Sequence, residues 1–485
     1  MVILQWTRKS FNRRSSSFFI SLCVPLLLML GCNNLPHPKT KLPNVVFLLA
    51  DDMGYGDFEK IGGSTKTPNL NRLAESGVFF DNFYAAGPNC SPSRTGLMTG
   101  KSPAKVGMYS YRPPQHPLHL PDQEVTLAEL LKTKGYQTAH IGKWHLGELA
   151  ENPQLNHPQP HHQGFDYSLG TENNAEPSHL NPINFIRNGK ALGLVDGYSC
   201  QIVAQECMDW LSQKSDDPFF LYVAFHEPHA KVASPPELVE KYANQPLKDA
   251  KYLANIDHLD MAIGRLLDYL EQNDLMDNTI IMFSSDNGSY RLASNGGLKA
   301  VKSYLYDGGI RVPGIVKWQG IKTNKKVIDT PIGLVDVLPT LCDIVGIDLP
   351  DDIDGTSFLP LLEGNPFIRK RPLYWFFYRS VPEIAMRVGN FMILGLDRDT
   401  IPRPHQFSQD DYNYLKTISL KNYQLFDLSS DFSQRNDLFD LHPKKDSLKM
   451  LVDKQLAEIK NRLYPWENLP LNLEIRKKKT NWAKY

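Results

Sequence analysis

The chain has no charge imbalance: its 485 residues include 53 basic and 53 acidic side chains, so it sets up no global field for a nucleic acid or an anionic membrane. Cysteine is scarce, with six in all. Long apolar runs are nearly missing. The one near the N-terminus, Phe18 to Leu30, is shorter than the roughly 20 residues that cross a bilayer and reads as an export signal, not an anchor. No internal repeat appears. What is present, 41% hydrophobic residues and 35 prolines, describes an ordinary globular protein with many loops. The length allows one large domain with a smaller partner.

Arg8, Lys9, Arg13 and Arg14 precede the apolar run, completing a signal peptide over residues 1–31. Gly31-Cys32 is similar to a bacterial lipobox, with Met29 where leucine is preferred, so a membrane tether through lipidated Cys32 is expected; the alternative is plain secretion. Either way the mature chain lies outside the cytoplasm, in the periplasm or on the outer membrane of a bacterium. Residues 32–42 form a polar linker. Of the remaining cysteines, Cys200 and Cys207 sit seven apart on one helical stretch, about 10 Å along the axis, beyond disulfide reach. They read as free buried thiols, as does Cys342.

Strand and helix signals then alternate. N-V-V-F-L-L-A is a continuous apolar run of the kind buried on both sheet faces, and it stops at Asp51-Asp52-Met53-Gly54-Tyr55-Gly56-Asp57. Q-T-A-H-I runs into G-K-W-H-L-G, F-F-L-Y-V-A-F into His226-Glu227-Pro228-His229, and T-I-I-M-F-S-S into Asp286-Asn287-Gly288. Between them, Pro68 to Gly77 and Tyr252 to Gln272 read as helices, and Thr126 with Glu129 forms a capping box. The alternation predicts an α/β fold: a large, mostly parallel sheet sandwiched by helices, with functional groups gathered at the carboxyl edge of its strands. Beyond Arg369 the pattern changes to short strands, Y-Q-L-F-D-L among them, and an amphipathic helix from Ser447 to Leu463. The expected division is a catalytic domain over 43–370 and a C-terminal subdomain over 371–485, with a smaller antiparallel sheet plus helix. Arg476 to Lys479 reads as a solvated basic tail.

Two buried strands that each end in paired oxygen donors point to a shared cation. Asp51, Asp52, Asp286 and Asn287 offer only oxygen, which favours calcium, then magnesium, over zinc. The segment N-C-S-P-S-R-T-G-L-M-T-G, Asn89 to Gly100, places Cys90 at the start of a helix with Arg94 one turn on. Lys143 and His145 alternate on an extended segment and so point the same way. Lys302, preferred here to Lys299, joins Arg94 and Lys143 as cations for a doubly charged tetrahedral anion. His229, held by Pro228, or His145 has the intrinsic pKa to protonate a leaving oxygen; His226 is either a pocket residue or packed.

On these residues the chain resembles the type I sulfatases of the alkaline phosphatase superfamily. The motifs are Cys-x-Pro-x-Arg followed by T-G, then A-D-D-M-G-Y-G-D, G-K-W-H-L-G, H-E-P-H, S-D-N-G, K-S-Y-L-Y-D-G-G-I-R-V-P and Y-Q-L-F-D-L. The resemblance implies that Cys90 is converted to formylglycine by a formylglycine-generating or anaerobic sulfatase-maturating enzyme. Asp51, Asp52, Asp286, Asn287 and modified Cys90 would hold calcium. Arg94 would hold the formylglycine hydrate; Lys143, His229 and Lys302 would bind sulfate, and His145 would help release it. The chain departs from the family's glycine-rich text at Lys299-Ala300-Val301 and from its threonine at Tyr304.

The H-E-P-H loop looks most like that of bacterial sulfatases acting on sulfated sugars, so a sulfated carbohydrate is the expected substrate. His157 to Leu194 reads as an irregular insertion on the ligand edge, with His162, Asn173, Asn174, His179 and Arg187 as candidate sugar contacts. The competing readings are a phosphonate or phosphodiester hydrolase of the same superfamily and a non-catalytic surface lipoprotein that binds sulfated glycans.

Overall fold

A computed structural model of the chain describes residues 41–378, 382–397, 402–404, 407–470 and 475–479. The segment expected to be an export signal, Cys32 and most of the expected linker lie outside them. Among the described residues no helix is long and apolar enough to cross a membrane.

Ten strands form the main sheet, ordered Val327–Ile328, Val78–Phe80, Gly314–Lys317, Thr279–Ser285, Asn44–Asp51, Phe219–Pro228, Gln137–Lys143, Tyr167–Thr171, Ile186–Arg187, Lys190–Ala191. The five from Thr279–Ser285 to Tyr167–Thr171 are parallel. Gly314–Lys317 pairs antiparallel with its neighbours. The apolar run at Asn44 lies inside this block, between Thr279–Ser285 and Phe219–Pro228, with both of its faces covered. Val45, Phe47 and Leu49 enter one core with Leu97, Leu131 and Leu341. Val46, Leu48 and Ala50 enter the other with Leu70, Val203 and Leu259. Side chains alternate across a strand, so one uninterrupted apolar run serves two cores.

The helices over Pro68–Ser76, Ser199–Gln213 and Leu247–Gln272 line the second core. Cys90–Thr99, Leu127–Lys132 and Val337–Val345 line the first. Leu127–Lys132 starts with the expected capping box: Thr126 Oγ1 accepts from Glu129 N at 3.2 Å, and Glu129 Oε2 accepts from Thr126 N at 2.7 Å. Cys90, Cys200, Cys207 and Cys342 are free and buried.

The smaller antiparallel sheet runs Leu373–Tyr378, Pro382–Val388, Phe391–Leu396, Asn422–Asp427. Trp375 and Phe377 face the first core. Tyr374 and Phe376 face a third core, closed by Leu448, Val452 and Leu456 of the helix Lys445–Asn461. Trp375 Nε1 donates to Ala85 O at 2.7 Å, tying this sheet to the turn before the Cys90 helix.

Two expectations change. The stretch from His157 is not wholly irregular: Tyr167–Thr171 is a strand of the parallel block, paired with Gln137–Lys143, and at five residues it is too short to show a clear period in the sequence. The basic run near the C-terminus is a strand, Ile475–Lys479, paired with Pro402–Pro404.

Burial also shapes pH behaviour. His140, fully buried among Trp144, Phe165 and Tyr222 with ring centroids at 5.1, 5.8 and 5.6 Å, has its pKa pushed down to about 3 by burial. Unfolded, it titrates near 6.5. Its contribution is therefore intact above about pH 6.5 and is lost progressively as pH falls toward 3, since the unfolded chain binds the proton first. His140→Phe is expected to flatten the acid-side decline of unfolding free energy by up to about 1.4 kcal/mol per pH unit, one proton's worth. Urea titrations between about pH 4 and 6.5 measure this; an unchanged slope would assign the proton to other groups.

Candidate active site

Asp51 ends the central strand. Its neighbour Thr279–Ser285 runs in register with it, Ala50 opposite Ser285, and Asp286 N donates to Ala50 O at 3.1 Å. The two acidic strand ends therefore lie side by side. Asp52 turns out of the strand with φ 67°, in the left-handed region, and its N–H donates to Asp286 Oδ1 at 3.2 Å. All three carboxylates are buried to within 1%.

The Cys90 helix points its first turn at them. Asn89 caps it, accepting from Cys90 N at 3.3 Å, and Gly100, at φ 65°, closes it with N–H to Gly96 O at 2.9 Å. Cys90 Sγ lies 3.3 Å from Asp51 Oδ1 and 3.8 Å from Asp52 Oδ1. Burial first, then Asp286 and Asp51, pushes the thiol well above its usual range. An unmodified cysteine held this way is a poor nucleophile, because the thiolate is the reactive form.

Three cations balance the acids. Lys143 Nζ is 2.7 Å from Asp51 Oδ2. Lys302 Nζ is 2.5 and 2.8 Å from the two Asp52 oxygens and 3.3 Å from Cys90 Sγ. Arg94 donates to Asp286 Oδ2 through Nε at 3.0 Å and Nη2 at 2.8 Å, and to Lys143 O through Nη1 at 2.8 Å. Burial opposes ionisation of Asp51, but Lys143, His229, Arg94 and Lys302 outweigh it and hold that carboxyl well below the usual range. Asp286 goes the other way, pushed up to about 6 by burial and the charge of Asp51.

The oxygens of Asp51, Asp52 and Asp286 and the Cys90 sulfur can approach one another within 4.8 Å, close enough to share one ion. Asn287 Nδ2 donates to Asp52 Oδ1 at 2.7 Å, while its Oδ1 is buried with no hydrogen-bond partner. An orphaned amide oxygen beside three carboxylates fits a hard cation.

A model of the family described as Sulfatase matches residues 43–347. The chain belongs to the sulfatase family. Human N-acetylgalactosamine-6-sulfatase is 34% identical to it over 402 residues, 74% of this chain and 72% of that protein. Human arylsulfatase A is 33% identical over 386 residues, 72% and 74% of the two chains. The crystal structure of Ps i-CgsB in complex with k-i-k-neocarrahexaose is 25% identical, with a TM-score of 0.73 over 89% of this chain and 95% of that one. The large sheet with helices on both faces is thus the alkaline phosphatase-like fold shared by sulfatases.

In this sulfatase, His229 Nε2 lies 3.5 Å from Asp52 Oδ2, and its Nδ1 donates to Ala230 O at 2.7 Å. His145 is also buried near the centre, but not by strand alternation. The strand ends at Lys143, and His145 takes φ 55°, so its backbone curls back and its Nε2 meets Arg112 O at 2.8 Å. His226 is packed, its Nε2 2.8 Å from Thr171 Oγ1. Lys299 stands over the rings of Tyr306 and Phe426 at 4.5 and 4.9 Å, which leaves Lys302 as the lysine of that loop at the site.

The family's glycine-rich turn is replaced by left-handed residues, Ala300 at φ 62° and Ser303 at φ 72°. Asn295 Nδ2 holds Ala300 O at 3.0 Å, and Ser303 N donates to Pro88 O at 2.7 Å, fastening the Lys302 loop to the turn before Cys90.

The insertion residues do not converge. His162 is exposed and accepts from Gln159 N at 2.9 Å. Arg187 is engaged by Glu206, at 2.7 and 2.6 Å. His179 is fully buried, 3.5 Å from Glu227 Oε1. Asn173 and Asn174 are half-buried just beyond the end of the Tyr167–Thr171 strand. Arg112 and Glu172, which pair at 2.5 Å beside His145, are not marked by any pattern in the sequence, since the short strand that Glu172 follows is itself not legible there.

Arg94→Met in EDTA-treated protein at about pH 8 is expected to cost about 3–5 kcal/mol of stability, because it leaves the Asp286 carboxylate buried without its partner. Urea denaturation measures it. A loss under about 1 kcal/mol would mean that Asp286 is not charged in the fold.

Proposed function

We propose that the chain is an exported bacterial enzyme that removes sulfate from a sulfated carbohydrate, with Cys90 converted to formylglycine and Asp51, Asp52, Asp286 and Asn287 holding calcium, or less readily magnesium. The observation that carries this reading is the position of Cys90 Sγ, 3.3 Å from both Asp51 Oδ1 and Lys302 Nζ. A side chain there adjoins the oxygen cluster on one side and a cation suited to an anionic substrate on the other. The name of the N-acetylgalactosamine-6-sulfatase relative supports a sulfated sugar as substrate.

As a hydrated aldehyde, residue 90 supplies an attacking oxygen and a second hydroxyl through which sulfate is released. The cation supplies charge that favours the ionised nucleophile and offsets the transferring group. The chain's own groups do the rest. Lys143 and Lys302 neutralise sulfate oxygens with Nζ donors that already face the centre. Arg94 spends its donors on Asp286 and the Lys143 carbonyl, so it keeps the acid cluster and the lysine in place. His229 donates Nδ1–H to Ala230 O, which leaves Nε2 facing the centre. Burial works against a charge on this ring, while Asp52 and Asp51 favour it, and in the protonated ring the Nε2 proton is the one that passes to the leaving sugar oxygen, returning the ring to neutral. A formylglycine-generating or anaerobic maturating enzyme would act on the chain before it folds over Cys90, since that residue is 2% exposed in the finished structure. Lipidation at Cys32 would tether the product to a membrane.

Cys90→Ala should abolish turnover of an aryl sulfate while far-UV circular dichroism stays native, and mass spectrometry of the Cys90 peptide from active enzyme should show an aldehyde in place of the thiol. Fully active protein with only unmodified cysteine would refute the mechanism, and a strong preference for aryl phosphonate over aryl sulfate would favour the phosphonate hydrolase reading. Lys302→Ala is expected to lower kcat/KM by roughly 10²–10³-fold, the loss seen when one oxyanion donor is removed. Chelation should reduce both turnover and Tm, with calcium restoring more than magnesium; no response to chelation would remove the ion from the site.

A further inference from the structure

His145 sits in a backbone conformation that an L-residue adopts at a cost of roughly 1–2 kcal/mol, so its neighbours must hold it there. Two main-chain carbonyls do so. His145 N donates to Glu172 O at 2.8 Å, and the ring's Nε2 lies 2.8 Å from Arg112 O. A carbonyl only accepts, so Nε2 carries the hydrogen and, in the neutral ring, Nδ1 keeps its lone pair. Nδ1 is buried and has no hydrogen-bond partner among the described residues. Burial, followed by the charges of Lys143 and Arg94, holds the ring neutral.

The two residues that supply these carbonyls are joined by their side chains. Arg112 Nη1 is 2.5 Å from Glu172 Oε1, with the arginine side chain wholly buried and that of the glutamate 20% exposed. Arg112 Nη2 reaches His157 Nδ1 at 3.5 Å, whereas Nε finds no partner. Arg112 N donates to Ser91 Oγ at 3.1 Å, which ties the same segment to the residue after Cys90. A buried, incompletely satisfied ion pair is a poor stabiliser, and apolar replacements of such pairs are often neutral or better. What this pair does accomplish is to span 60 residues of chain and fix the spacing of the two carbonyls between which His145 is held.

We propose that Arg112 and Glu172 are positioning residues that lock His145 in its Nε2–H tautomer, leaving Nδ1 as the nitrogen that accepts a proton during sulfate release. The catalytic half of this inference rests on the function proposed above; the tautomer does not. Glu172 acts through its backbone and its ion pair, so neither residue has to touch the substrate.

The test uses full-length enzyme labelled with ¹⁵N-histidine, the His145 signals being assigned by their loss in His145→Gln. Wild type should show a single tautomer with hydrogen on Nε2. Arg112→Met and Glu172→Gln should each give mixed tautomers at His145 and lower kcat on an aryl sulfate about 10- to 100-fold, with KM changed less than about threefold. The double variant Arg112→Met/Glu172→Leu removes both charges and should stay folded, with the same tautomer mixing, so poor folding of a single variant does not end the test. An unchanged Nε2–H signal in the variants would overturn the proposal, as would mixed tautomers with undiminished kcat. A wild-type enzyme inert toward aryl sulfate but showing the locked tautomer would instead count against the sulfatase mechanism.

Discussion

Three carboxylates share one dry space at the carboxyl edge of the sheet, and the architecture around them follows from what that requires. Asp51, Asp52 and Asp286 repel one another where water cannot screen them, and each would carry a desolvation cost of several kcal/mol if left alone. Lys143, Lys302 and Arg94 answer one acid each, arriving from a strand end, a loop and a helix. The carboxylates are the kind of oxygen donor a hard cation takes, and the ammonium groups paired with them are the kind of donor an anion takes. Stability and chemistry are therefore coupled at this site, and a change to any one charge disturbs both.

The rigid part of the design is the central strand. Covered on both faces, in register with Thr279–Ser285 through Ala50 and with Phe219–Pro228 as far as Leu49, it delivers Asp51 to a place set by the sheet. The adaptable part begins one residue later. Asp52, His145, Ala300 and Ser303 all take left-handed backbone conformations, and all lie where a strand or loop must turn sharply to aim a side chain or a neighbour inward. Gly142 shows the same crowding in another form: at φ 116°, a Cβ there would stand 1.8 Å from Ala224 O, so only glycine lets the strand carrying Lys143 pass its neighbour. Strain of this kind persists where surrounding contacts over-determine the backbone, as the hydrogen bonds of Asn295, Ser303 and Glu172 do here.

The strand termini explain which parts of the centre were legible. Asp51, Asp286, Asn287 and Lys143 end or follow apolar runs, so their meeting at one sheet edge could be inferred from order alone. Cys90 and Lys302 needed motif spacing as well. Strand alternation does not place His145, because the strand ends at Lys143 and His145 itself takes a left-handed conformation whose basis, two carbonyls from residues 112 and 172, is non-local. Arg187 is not free for a sugar because Glu206, nineteen residues on, engages it, a pairing that no local pattern marks. The short strand Tyr167–Thr171 was hidden by its length, since five residues between polar loops carry little periodicity.

The sequence by itself determined the layered α/β architecture and the all-oxygen character of the acidic cluster, because those depend on local periodicity and residue chemistry. Only the tertiary structure decided which cation answers which acid, how the Lys302 loop is fastened without glycine, and which nitrogen of His145 bears hydrogen. Those outcomes depend on distances between segments tens to hundreds of residues apart, and such distances exist only once the chain has packed.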